Sequence, residues 1–260
     1  MGKCLVTKLA GVVNNDSLLK LGELRIAIKA TEASQTLFQL NTAEYSCNVD
    51  TIAGEKNVPA NTVYKITGWT DIKSKKEGEA VFSFVDKYNL RYLHSNLDVN
   101  IIGLSYLTNC IQFTVKSNIG DLISLADFSN NTALVSLKLA GNITGDLASL
   151  NKCTALTSLN LSGNITGDLA TVPSKMFLVS IVSTNTFTWS NRERANTLFS
   201  ILRNPKVLNI DKMLQDLSDC TAVSTDSYKQ ITATGTRTSA SDAAVQTLQQ
   251  KGYTVSITPA

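Results

Sequence analysis

The chain has little of what most enzyme active sites and metal centres are built from. Its 260 residues include one histidine, His94. They contain none of the glycine-rich phosphate loops, nucleophile elbows or paired cysteine and histidine spacings that mark the common sites. The sequence therefore predicts no catalytic residue, no metal and no cofactor, and we expect the protein not to be an enzyme.

Cysteine is scarce too. The five cysteines are an odd number without paired spacing, so neither a disulfide framework nor a zinc site is indicated. Cys110 and Cys153 fall at or beside apolar positions of a repeat, where a free thiol acts as a small apolar filler. We expect both side chains in the core.

A strong net charge and a long apolar run are also missing. The formal net charge of +3 is too small to favour nucleic acid as a partner. No run approaches the roughly 18 apolar residues of a membrane span, and the start, MGKCLVTKLAGVV, lacks the features of a signal peptide. We expect no nucleic acid, no membrane span, and a chain kept in the cytoplasm until assembly.

What the chain does have is a near-duplicate. Residues 134–147 read LVSLKLAGNITGDL, and 22 residues later 156–169 read LTSLNLSGNITGDL. Both follow the pattern L-x-x-L-x-L-x-x-N. Weaker copies start at residues 90, 110 and 178, so the spacings are 20, 24, 22 and 22 residues. A fixed period in this range is typical of stacked-repeat architectures.

The pattern and its spacing resemble the leucine-rich repeats. The resemblance implies a solenoid with a parallel sheet, whose convex loops turn to helices toward the C-terminus. The predicted fold class is therefore α+β, with a small β-rich module before the leucine-rich-repeat solenoid. The domains are predicted at residues 1–72 and 73–260.

Apolar residues that alternate in L-x-L predict a short strand with one face turned inward. The residues between them then face outward, and the resemblance places them on the concave face. His94 could bind a partner there or be an ordinary exposed ring. The candidate partner-binding residues are Tyr92, His94, Gln112, Thr114, Ser136, Lys138, Ser158 and Asn160.

The end of each copy predicts a turn. Asn142 and Asn164 stand where the chain is expected to turn, and a ladder of such side chains can satisfy unpaired backbone groups. Gly145 and its counterpart Gly167 would allow backbone angles that the turn requires and that other residues rarely adopt. Asp146 and its counterpart Asp168 recur with the turn, which indicates that they cap the local backbone and do not form an acid-base pair. Core positions after the turn are predicted at Leu147, Leu150, Leu169 and Val172.

The chain before residue 72 favours strands, with apolar alternation or short apolar runs at 24–28, 37–40, 45–49 and 63–69. Residues 71–79, DIKSKKEGE, are polar enough for a connector or a helix start, with Ser74 and Glu77 at capping-box spacing. The spacing of the next apolar residues predicts a short helix that leads into the first repeat. These residues are Ala80, Val81, Phe84 and Val85.

After residue 188 the pattern alternates between helix and strand. Ser190 and Glu193 form a predicted capping box for a helix that ends at Asn204 and Pro205. A strand is predicted at 207–210, then a helix capped by Asp211, and a strand at 230–234. Ser241 is predicted to cap a last helix that Gly252 ends, before a strand at 253–257.

The first segment, CLVTKLAGVVNNDSLLKLGELRIAI, resembles the opening of virion proteins of crAss-like tailed phages of gut Bacteroides. The last segment, GTRTSASDAAVQTLQQKGYTVSI, resembles the closing unit of leucine-rich-repeat proteins of those phages and their hosts. The resemblance implies a head fibre or capsid decoration protein in the virion, assembled in the host cytoplasm. Residues 1–72 would bind other virion proteins. The chain would also form a homo-oligomer, either a dimer or a trimer. The repeat domain would project toward a host glycan or protein. The alternative is a non-viral leucine-rich-repeat interaction module or surface adhesin.

Overall fold

The computed structural model describes residues 24–31, 34–51, 62–73, 78–84, 90–117, 122–193, 198–223 and 225–260. They form a mixed α/β structure made mostly of strands, in which fifteen strands join one open sheet. Two α-helices lie in this part of the chain, α1 (Ile210–Asp219) and α2 (Asp242–Gln250).

The first seven strands are β1 (Leu24–Ala30), β2 (Thr36–Thr51), β3 (Thr62–Lys73), β4 (Gly78–Phe84), β5 (Leu90–Ile102), β6 (Gln112–Ser117) and β7 (Ile123–Ser124). The other eight are β8 (Ser136–Asp146), β9 (Ser158–Thr166), β10 (Leu178–Val182), β11 (Thr186–Phe187), β12 (Ile201–Arg203), β13 (Lys206–Val207), β14 (Gln230–Thr234) and β15 (Thr254–Thr258).

A stack of parallel strands runs through the sheet in chain order, from β5 through β6, β8, β9, β10, β12 and β14 to β15. Equivalent residues of successive copies lie side by side. Phe113 pairs with Leu137, which pairs with Leu159, which pairs with Val179. The repeat read from the sequence is therefore also the register of the sheet.

The inward positions of each copy are the predicted ones. Leu137, Leu139, Leu159 and Leu161 are buried between the sheet and the connections that follow it. Three of these connections are short 3-10 helices at Leu125–Phe128, Leu147–Leu150 and Leu169–Thr171. The predicted core residues after the turn are all buried, and so are the thiols of Cys110 and Cys153.

Backbone capping by the repeated aspartates is confirmed. Asp146 Oδ1 accepts a hydrogen bond from the Ala148 amide at 2.8 Å, and Asp168 Oδ1 accepts one from the Ala170 amide at 2.9 Å. The residue before the second aspartate, Gly167, has φ +119°, and a Cβ there would lie 2.6 Å from Asp146 Oδ1. Glycine is needed at this position because of both the backbone angle and the close approach.

The strands do not end at the asparagines as predicted, but they are irregular there. β8 and β9 continue past Asn142 and Asn164, whose side chains are exposed. The register between the two strands shifts just before Thr144, which pairs with Asn164. One step of the predicted asparagine ladder is present, since Asn185 Nδ2 donates to Asn164 Oδ1 at 2.6 Å and to the Ile165 carbonyl at 2.9 Å.

Strands before residue 72 are confirmed and are antiparallel. The segment 24–28 lies in β1, both 37–40 and 45–49 lie in β2, and 63–69 lies in β3. β5 pairs with β1 and β2 as well as with β6, so strands from both sides of residue 72 share one sheet. β5, β1, β4 and β2 each pair with the next, and the pairing of β2 with β5 closes these four strands into a ring within the otherwise open sheet.

The predicted helix at residues 80–85 is wrong, because β4 occupies Gly78–Phe84. β4 pairs with β1 on one side and β2 on the other, and these two partners satisfy its backbone groups. The apolar spacing of this segment suits a helix or a strand, and the pairing decides between them. The capping pair Ser74 and Glu77 lies outside the described residues, as does Val85.

The helix predicted after Ser190 is also wrong where the structure describes it. Ile201–Arg203 is β12, which lies between β10 and β14, while residues 194–197 are outside the described ranges. The next strand is Lys206–Val207, shorter than predicted, since α1 already begins at Ile210. The predictions of α1, β14, α2 and β15 are confirmed, although Asn209 and not Asp211 is the N-cap of α1.

Among the described residues, neither helix has the length and apolar character that a membrane crossing requires.

Candidate binding surface

The eight candidate residues lie in two neighbouring rows on the sheet face opposite the buried leucines. In the first, which we call the Tyr92 row, Tyr92 pairs with Gln112, Gln112 with Ser136, and Ser136 with Ser158. In the second, the His94 row, the order is His94, Thr114, Lys138 and Asn160. All eight side chains are half-buried or exposed. The strand register thus brings the candidates together, and their binding role stays a prediction.

Both rows continue onto strands that the sequence did not assign to this surface. Asn41 of β2 pairs with Tyr92 on one side and with Trp69 of β3 on the other. Gln39 stands in the same way between His94 and Asp71. Sequence reasoning missed Trp69, Gln39 and Asp71 because the antiparallel pairing of β2 with β5 joins residues about 50 apart, and no local pattern encodes that register.

The chemistry of the rows changes along the sheet. Over β8 and β9 the side chains are short and polar, apart from Lys138. At the β3 end Trp69 is 69% exposed, and its ring centroid lies 5.0 Å from that of Tyr92, with an interplanar angle of 39°. Farther along, the Tyr92 row passes two apolar side chains, Leu178 and Ile201, before it continues to Gln230 and Thr254. The surface therefore has an aromatic end, a polar middle, a short apolar stretch and a polar far end.

A cavity of about 200 Å³ opens beside His94. The residues that line it are Thr36, Leu37, Gln39, His94, Ser95 and Asn96. None of these is a lysine, arginine, aspartate or glutamate, so the lining is made of amides, hydroxyls, one imidazole and one apolar side chain. The Ser95 hydroxyl accepts a hydrogen bond from the Leu97 amide at 3.2 Å, which holds this wall in place.

Lys116 and Arg203, two charged side chains near the rows, contact their neighbours. Lys116 Nζ lies 3.3 Å from Asp98 Oδ1 beyond the His94 row. At the other end Arg203 Nε donates to Gln230 Oε1 at 2.9 Å, and its guanidinium donates to the Tyr228 hydroxyl at 3.2 Å. These contacts order the long side chains along the surface.

The two cysteines beside the repeats carry buried thiols. Burial raises the pKa of Cys110 to about 12, partly opposed by a backbone hydrogen bond at Gln112, and burial raises the pKa of Cys153 to about 11. Both thiols are therefore protonated at neutral pH, as apolar fillers would be. In the ranges that the structure describes, histidine, cysteine, aspartate and glutamate form no group of three or more that could hold a metal ion.

Comparison of the chain with models of protein families, with curated proteins and with solved structures finds no match.

Proposed function

We propose that this chain is a virion structural protein of a tailed phage, a head fibre or capsid decoration protein, which presents the Tyr92 and His94 rows to a partner. The observation that carries the proposal is the alignment of outward residues from at least six strands into two continuous rows on one sheet face. Such a strip offers one extended contact surface to a protein or glycan.

For the fold, we propose a leucine-rich-repeat solenoid. Its support is the chain-order stack of parallel strands, the 20 to 24-residue spacing of the copies, and connections that change from 3-10 turns to α-helices along the chain. In solenoids of this kind each unit contacts mainly its neighbours, so the outward face is free for binding.

Attachment to the particle is assigned to residues 1–72. The support here is the resemblance of the first segment to virion proteins, whose matching residues at 5–23 lie outside the described part of the chain. In this proposal the module binds other virion proteins, and a dimer or trimer forms on the capsid by closed symmetry.

Mass spectrometry of purified virions tests the proposal directly. We expect the full chain among the particle proteins, in a copy number that is a multiple of two or three per attachment site. Its absence from particles would overturn the virion assignment. If the same full chain then bound a protein or glycan through the two rows, the result would favour the non-viral interaction module.

A further inference from the structure

Trp69 is the most exposed of the large apolar side chains that the structure describes, at 69%. It belongs to β3, a strand with no partner on its outer side among the described residues. An exposed indole of this kind leaves a large apolar surface in water, where a ligand would gain by covering it. Among the described residues, the core does not account for this side chain.

The indole is held in place by Tyr92. Trp69 and Tyr92 stand on either side of Asn41, on strands that are separated by β2 and so lie about 10 Å apart at the usual strand spacing. Their ring centroids are nevertheless 5.0 Å apart, so the rings lean toward each other over β2. We call this pair the aromatic platform; its two rings are tilted by 39°, and the indole remains 69% exposed.

The cavity beside His94 lies one row away from this platform. Gln39 contributes to its wall and stands two residues before Asn41 on β2, a distance of about 7 Å along the strand. Gln39 is exposed, and Asp71, its neighbour in the His94 row, is exposed too. A ligand that covers the platform therefore has amide donors and acceptors, hydroxyls and an imidazole within reach at its edge.

This combination points to one ligand class. An anionic ligand would need lysine or arginine in the lining, which has neither, and a purely apolar ligand would leave the polar wall unpaired. A pyranose has one face of C–H groups, which stacks on an aromatic ring, and an edge of hydroxyls, which pair with amides. We propose that the Trp69 platform and the His94 cavity form a binding subsite for a neutral saccharide. This inference rests on the proposed function, because it names the partner class of the same surface.

The test uses the full chain on an array of neutral and sialylated oligosaccharides, followed by titration with the best neutral hexasaccharide. We expect wild-type binding to neutral glycans and a roughly tenfold weaker affinity for W69A, since one stacking contact is lost. W69F keeps an aromatic face and is expected to retain most of the affinity. L208A is the control, because Leu208 is an exposed apolar residue, 65% accessible, that lies outside both rows.

Intrinsic fluorescence supplies a second readout. The chain has two tryptophans, and Trp189 is 1% exposed, so a ligand-induced change in emission must come from Trp69. We expect the change in the wild type and in L208A, and its loss in W69F. Melting temperatures of the variants should lie within about 2–4 °C of the wild type, because the Trp69 and Tyr92 ring contact is worth only about 1 kcal/mol.

Three outcomes would overturn the inference: no neutral glycan bound by the wild type, binding to sialylated glycans or peptides alone, or equal affinity of W69A and the wild type. Each of these leaves the virion assignment intact if the chain is present in particles. Conversely, binding that depends on Trp69 by a chain absent from particles would support the subsite and overturn the virion assignment.

Discussion

The twin units at residues 134–169 and the C-terminal units at 198–258 add strands to the same parallel stack by different means. A four-residue 3-10 turn, Leu147–Leu150, leads out of the first twin strand, whereas helices of ten and nine residues follow β13 and β14. In the twin units the aspartates cap the backbone two residues away, and the contacts to the preceding unit come from small side chains such as those of Thr157 and Cys153. In the C-terminal units, contacts between units also involve charged groups, the buried carboxylate of Asp216 and the amine of Lys251.

Asp216 of α1 makes such contacts between units. Its Oδ2 accepts from Trp189 Nε1 at 2.9 Å and from the Arg192 amide at 3.1 Å, and its Oδ1 is paired with Lys212. At the C-terminal end of the same helix, Lys251 Nζ donates to the Ser218 and Cys220 carbonyls at 2.6 and 2.9 Å. A longer connection has helix ends and polar faces that its own turn cannot satisfy, so contacts between units take over.

The largest expected effect concerns the core that both regions share. L159A removes a fully buried side chain from the twin stack, and we expect it to lower the free energy of unfolding by about 2–5 kcal/mol. S158A, the neighbouring change on the outward face, is expected to cost less than about 0.5 kcal/mol. Chemical denaturation of both variants measures the contrast, and equal losses would contradict the inward and outward assignment.

The next effect separates long-range from local polar contacts. D216A leaves Trp189 Nε1 and the Arg192 amide without their buried acceptor, and we expect a loss of about 2–4 kcal/mol. D146A removes one exposed cap in the twin units and is expected to cost about 1 kcal/mol. Denaturation midpoints for the two variants test this, and a larger loss in D146A would reverse the comparison.

A smaller effect is expected inside the twin units themselves. Asn131 and Cys153 stand three residues before Leu134 and Leu156, and both side chains are buried. Cys153 Sγ donates to the Phe128 carbonyl at 3.3 Å, while neither amide atom of Asn131 has a hydrogen-bond partner in the described part of the chain. We expect N131C to raise stability by about 1 kcal/mol and C153N to lower it by about 1–3 kcal/mol. A stability loss in N131C, seen by thermal unfolding, would contradict this account.

The smallest effect is a pH dependence in the C-terminal units. Partial burial would raise the pKa of Asp211, but hydrogen bonds from Ser241 and Thr238, together with the charge of Arg237, outweigh it and lower the pKa. The stabilisation is therefore complete above the usual carboxyl pKa of about 3.9 and is lost as the pH falls through the lower folded value.

We expect D211N to be less stable than the wild type at pH 7, by less than about 1 kcal/mol because the site is largely solvated. Thermal unfolding from pH 7 to pH 2 should show this difference shrinking toward zero. A difference that stays constant over the whole range would exclude the carboxylate as its source.

Local spacing predicted some elements well and failed at others for a physical reason. The leucines of the twin units were correctly placed because a period of two along a strand follows from the sequence alone. The segments at 80–85 and 198–203 carry apolar spacings that a helix or a strand can bury equally well. Strand partners on both sides of β4 and β12 decided both cases.

The candidate surface shows the same division. Register within the repeats was predictable, so the rows from Tyr92 to Ser158 and from His94 to Asn160 were found from residue numbers. The aromatic platform was not, because Trp69 reaches Tyr92 only through the pairing of β3 with β2 and of β2 with β5. No short-range pattern in the sequence signals which strand lies beside which in an antiparallel sheet.

The sequence by itself determined the repeat period, which is read from the copies, and the inward and outward faces and the capping aspartates, which depend on neighbours a few residues away. The close approach that also requires glycine at 167 comes from Asp146 of the preceding unit and so from the stacking. Only the tertiary structure decided which antiparallel strands extend the rows and which side chains connect the C-terminal helices. The reason is that strand pairing and buried polar contacts join groups 20 or more residues apart, and their free energy depends on the whole arrangement that brings them together.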